Sequence, residues 1–75
     1  MKITLRAARV NAGLTQDDVA KAIKKSKATI VHWEKGKTYI DEANFNFLCR
    51  LYGAETDDIF LPYESTNRRL PKDSV

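Results

Sequence analysis

Thr15-Gln16-Asp17-Asp18-Val19-Ala20-Lys21-Ala22-Ile23-Lys24-Lys25-Ser26-Lys27-Ala28-Thr29-Ile30-Val31-His32-Trp33-Glu34-Lys35-Gly36 decides the reading of this 75-residue chain. It encodes two short helices separated by a tight basic turn. Thr15 is a good cap for the first, and Asp17 and Asp18 in its first turn favour the positive end of the helix dipole. Val19, Ala20 and Ile23 fall on one face of that helix. Lys24-Lys25-Ser26 then breaks the apolar period, and Ser26 suits the cap of the second helix, which runs to about Lys35 with Gly36 as terminator. In the second helix only Ile30 and Trp33 need to point inward. The rest of its surface is left free and is mostly basic or polar, the pattern of a helix-turn-helix with a reading face.

Working outward, Thr4 caps a helix that ends at Gly13, with Leu5, Ala8 and Ala12 expected on its buried face. Beyond Gly36 a polar loop leads to Asp41, the expected cap of a fourth helix. Phe45, Leu48, Cys49 and Tyr52 recur there at helical spacing, and Gly53 closes it. Thr56-Asp57-Asp58 is expected to start a fifth, short helix, with Ile59, Phe60 and Leu61 sealing the bundle just before Pro62. The expected fold class is therefore all-α, a compact domain of five helices in which helices 2 and 3 form the helix-turn-helix. Residues 1–63 are read as this domain and residues 64–75 as a flexible polar tail without apolar period. There are no internal repeats.

Composition narrows the function. With 43% hydrophobic and 31% charged residues the chain reads as an ordinary globular domain, and its length sits near the lower limit for one core, which argues against a large internal active-site cavity. No apolar run approaches the roughly 18 residues of a membrane span, and Met1-Lys2-Ile3-Thr4-Leu5 lacks a signal-peptide stretch, so a cytoplasmic location is expected. Cys49 is the single cysteine and His32 the single histidine, which leaves no disulfide and too few ligands for a zinc or haem site. No metal or cofactor is expected. An enzyme is not expected either: no histidine is paired with a nucleophile, no glycine loop suits a phosphate, and the adjacent carboxylates Asp17-Asp18 and Asp57-Asp58 point apart on a helix.

Net charge is only +3, but its distribution is lopsided. Residues 20–37 hold Lys21, Lys24, Lys25, Lys27, Lys35 and Lys37 against Glu34, a balance of +5, whereas residues 38–63 hold Arg50 against Asp41, Glu42, Glu55, Asp57 and Asp58, a balance of −4. One end of the domain should attract a polyanion while the other repels it. A helix of about ten residues is roughly 15 Å long, and its first turn fits a major groove about 12 Å wide. Lys27, Ala28, Val31 and His32 lie away from the Ile30 and Trp33 stripe and are the candidate base-contacting residues. Lys27 suits guanine O6 or N7, His32 a base edge, and Ala28 or Val31 a thymine methyl. Thr29, Lys35, Lys37 and Thr38 border that surface and are the candidate backbone-contacting residues, which position rather than specify.

Gly13-Leu-Thr-Gln-Asp-Asp-Val-Ala20, then Ser26-Lys-Ala-Thr-Ile30 with Trp33-Glu-Lys-Gly36, resembles the phage lambda-repressor and Cro superfamily, the XRE family. Leu51-Tyr-Gly53 followed by Thr56-Asp-Asp-Ile-Phe-Leu61 is similar to the last two helices of its five-helix domain. The resemblance covers roughly residues 3 to 61 and implies dimeric binding to a short double-stranded DNA operator, with helix 3 in the major groove and transcription usually repressed. It also implies that Gln16 contacts the DNA backbone, although Gln16 equally fits a solvated helix-start residue. It further implies that Arg9 and Glu34 form a partly buried ion pair linking helices 1 and 3. The chain departs from the family at Lys24, where relatives often have glycine in the turn, which puts the turn geometry in question. It departs again at Tyr39, Ile40 and Glu42, where some relatives use basic residues, so minor-groove contact is not expected.

Trp33 reads either as core or as a stacking surface, and its spacing from Ile30 favours the core. Phe47 falls off the Phe45, Leu48 and Tyr52 face and fits a dimer patch or partial burial under a loop equally well. The expected function is a sequence-specific transcription regulator, of the phage or plasmid repressor type, acting as a homodimer on a palindromic operator. The alternative is an antitoxin-type module that covers a toxin or another protein partner, with DNA binding serving autoregulation.

Overall fold

The computed structural model describes residues 2–62 of the chain. In chain order these form β1 (Ile3–Thr4), α1 (Leu5–Asn11), α2 (Gln16–Ile23), α3 (Lys27–Lys35), α4 (Glu42–Tyr52), a 3-10 turn (Thr56–Asp58) and β2 (Ile59–Phe60). The expected tail, residues 64–75, lies outside the described residues, as do Met1 and Tyr63.

Each helix starts on a side-chain cap. Thr4, Thr15, Ser26 and Asp41 accept the backbone N–H of Ala7, Asp18, Thr29 and Asn44 respectively, satisfying one of the free donors of each first turn. At α2 the cap is reciprocal, because the Asp18 carboxylate accepts the Thr15 N–H at 2.9 Å and completes a capping box.

All four helices also stop in the same way. The amides of Leu14, Lys25, Lys37 and Ala54 donate back to the carbonyls of Arg9, Ala20, His32 and Cys49, which is the Schellman arrangement and requires a left-handed residue just before each donor. Three of those residues are glycines, Gly13, Gly36 and Gly53. The fourth is Lys24, at φ +62°, the only described non-glycine residue with positive φ. The turn of the helix-turn-helix therefore takes the same left-handed geometry as the three glycine-terminated helices, with a side chain that disfavours it.

The core is built from Leu5, Ala8, Val19, Ala20, Ile30, Trp33, Ile40, Leu48, Cys49, Tyr52 and Ile59. Ile23 and Phe45 are half-buried against it. Ala12, expected inside, is exposed, because α1 ends at Asn11 and the chain turns away before another helical turn is completed. Ile40 was not expected in the core. It is buried next to Tyr39, which is 72% exposed, so this loop drops one side chain inward and lifts its neighbour out.

The largest departure lies at the end of the domain. The expected fifth helix is a 3-10 turn over Thr56–Asp58, and Ile59–Phe60 then pairs in parallel with Ile3–Thr4, in register Ile3 to Ile59 and Thr4 to Phe60. The described residues are mostly helical, with four α-helices and a small two-stranded sheet. Extended backbone alternates its side chains across the strand, so Ile59 enters the core at 1% exposure while Phe60, expected to help seal the bundle, is 41% exposed. The chain then packs Pro62 over Gly36, where a Cβ would approach the proline ring carbon to 2.8 Å. Gly36 thus answers to both a left-handed backbone and a close neighbour.

Candidate nucleic-acid interface

The orientation of α3 follows from the direction of its side chains. At about 100° per residue, the buried Ile30 and Trp33 define an inward direction. Ala28 and Lys35 then point nearly opposite to it, with Val31 and His32 on either side of them. Lys27 and Thr29 fall on opposite flanks. Lys27, Ala28, His32, Lys35, Lys37 and Thr38 are all exposed. Val31 is half-buried rather than free, since it leans toward the flank occupied by Arg6, Arg9 and Gln16. Thr29 is also half-buried, and its hydroxyl is engaged with that of Ser26 at 3.0 Å. The amide of Lys37 closes the Schellman motif on His32, which anchors the backbone at that position while its side chain stays in solvent.

What holds α3 at its angle is a buried polar cluster on the Val31 flank. Arg9 donates from Nε to Glu34 Oε2 at 2.7 Å and from Nη2 to Glu34 Oε1 at 3.3 Å. The same guanidinium donates from Nη1 to the Leu14 carbonyl at 2.9 Å. Gln16 Nε2 donates to Glu34 Oε1 at 3.0 Å. The Glu34 carboxylate on α3 thereby ties α1 to the first residue of α2, and the Arg9 guanidinium ties in the loop between them. The side chains of Arg9 and Glu34 are 10% and 6% exposed, so the forked geometry of the guanidinium is used where water does not compete. Gln16 is therefore not a plain solvated residue: one N–H of its amide is engaged with Glu34. No periodicity signals that contact, which joins side chains eighteen residues apart.

Tyr52 stands behind this cluster on α4. Burial first, and then the Glu34 carboxylate, push its phenol well above the usual range, and its hydroxyl has no hydrogen-bond partner among the described residues. Cys49 is buried, and burial raises its thiol as well, which suits a packing role better than a nucleophile. Trp33 is buried too and belongs to the core rather than to a stacking surface. Among the described residues, His, Cys, Asp and Glu side chains form no group that could hold a metal ion, and no helix is long and apolar enough to cross a membrane.

On the far side, Phe47 is 40% exposed and lies in an open concavity with Ala43, Asn46, Arg50 and Leu51. It is not covered by a described loop.

A family model described as "Helix-turn-helix domain" matches residues 3–65. No curated protein and no solved structure matches the chain.

Proposed function

The chain belongs to the helix-turn-helix domain family, and from that premise we propose that it is a sequence-specific regulator that binds double-stranded DNA through α3 in the major groove. The observation that carries this reading is the division of labour on α3. One flank is fixed through Glu34 to Arg9 and Gln16, while Ala28, His32 and Lys35 stand exposed on the opposite surface. Among the described residues these three make no side-chain hydrogen bond or ion pair, so nothing within the fold uses that surface. Lys27, Ala28, Val31 and His32 read bases in this account. Thr29, Lys35, Lys37 and Thr38 hold phosphates, and Gln16 supports α3 through one Nε2 N–H while the second N–H of the same amide is the group that donates to a phosphate.

The lambda-repressor and Cro likeness supports a repressor acting in the cytoplasm as a homodimer on a palindromic operator. Phe47 supports the dimer, because an exposed aromatic beside Ala43 and Leu51 gains from being covered. No catalytic step is part of this reading. The antitoxin alternative rests on residues 64–75, and no described feature favours it over a repressor.

Selection of bound duplexes from a random pool tests the reading. The expected result is an enriched inverted repeat whose half-site centres lie about 34–36 Å apart. Enrichment of single, unpaired sites would remove the dimer, and no enrichment would remove sequence-specific reading.

A further inference from the structure

The concavity on the Val31 flank of α3 contains two residues that the helix-turn-helix itself does not supply, Arg6 and Arg9 of α1, and of these Arg9 is already bonded to Glu34. Arg6, on the first turn of α1, lines it together with Arg9, Gln16, Val31, Glu34 and Lys35, and the recess measures about 410 Å3. We propose that Arg6 and Lys35 form a phosphate-binding subsite on this flank, so that Arg6 is a DNA-backbone contact contributed by α1 from outside the helix-turn-helix. The inference rests on the duplex-binding function proposed above and adds to it the path of one sugar-phosphate strand.

Three observations support the assignment. The single carboxylate in the recess, Glu34, is already occupied by Arg9 and Gln16, so it is not free to neutralise Arg6. Arg6 is exposed and makes no ion pair or side-chain hydrogen bond among the described residues. Its position is also poor for the helix that carries it. Cations are disfavoured in a helix first turn, and α1 has no acidic residue there to compensate. A cation with no ion pair or side-chain hydrogen bond among the described residues, beside a recess that opens next to Val31 and Lys35 on the reading helix, has the chemistry and location of an anion contact. A guanidinium suits a phosphate in two-point geometry. Base-reading residues and Arg6 thus share one edge of the groove, with Val31 between them.

The test is the salt dependence of binding to a fluorescent mixed-sequence duplex, measured for wild type, Arg6→Gln and Arg6→Lys, with thermal unfolding of each. Removing one phosphate contact lowers the log–log salt slope by about 0.9. The affinity advantage of wild type over Arg6→Gln should therefore shrink about 3.5-fold between about 50 and 200 mM salt. Arg6→Lys should keep the wild-type slope, and Arg6→Gln should unfold at a temperature no lower than wild type. An unchanged slope in Arg6→Gln overturns the subsite while leaving the proposed function intact, and so does an equal loss of slope in Arg6→Lys. Absence of any wild-type complex overturns both.

Discussion

The Glu34 carboxylate accepts both Nε and Nη2 of Arg9, at 2.7 and 3.3 Å, across twenty-five residues of sequence. Through this contact α1 sets the angle at which α3 leaves the core. A buried ion pair adds little net stability, because desolvation offsets much of the Coulomb attraction, but removing one partner strands the other.

Glu34→Ala should accordingly destabilise the domain by about 3–5 kcal/mol, leaving the Arg9 guanidinium buried without its acceptor. That is a large part of the stability of a small domain. Denaturant unfolding checks it, together with duplex affinity. A variant retaining full stability and full affinity would refute the positioning role.

Lys24→Gly should stabilise. The residue sits at φ 62°, ψ 45°, a conformation that costs an L-residue about 1–2 kcal/mol and glycine almost nothing. Part of this gain is offset by the larger unfolded-state entropy of glycine. A net gain of roughly 0.5–1 kcal/mol is expected, seen as a rise in Tm of a few degrees. A fall in Tm would mean that the lysine side chain stabilises the turn by more than its backbone costs.

Asp18 gives the capping box a pH dependence. Its carboxyl is held below the ordinary value of 3.8, first by the Thr15 backbone N–H and then by the Thr15 hydroxyl. A depressed folded-state value means that the stabilisation is fully present above pH 3.8 and fades as pH falls through the folded-state value. The Tm difference between wild type and Asp18→Asn should be constant near neutrality and close in acid. A difference that persists unchanged at the acid end would show that charge is not what the cap uses.

Helix positions were legible because caps and terminators are local chemistry. Thr4, Thr15, Ser26 and Asp41 bond within their own first turns, and Gly13, Gly36 and Gly53 take the left-handed backbone that few other residues tolerate. The exposed face of α3 followed from Ile30 and Trp33 alone. The β1–β2 pairing was not legible, since two-residue strands carry no period and their partners lie more than fifty residues apart. Thr56-Asp57-Asp58 carries helix-start residues, yet the chain leaves after one 3-10 turn so that Ile59 can reach the core. The Gln16 to Glu34 bond and the Arg6 recess are likewise products of tertiary placement. They place side chains together that no spacing rule connects.

In the proposed function the exposed face of α3 meets duplex DNA, and Ala28→Glu is the sharpest probe of that contact. Ala28 is exposed and points away from the core, and glutamate is a good helix former, so the fold should be retained while a carboxylate is set against the phosphates and base edges. Titration of both proteins against duplex DNA at low ionic strength should show a complex with wild type and its loss with Ala28→Glu at nearly unchanged Tm. No complex with wild type, or equal affinity for the two proteins, would contradict the account.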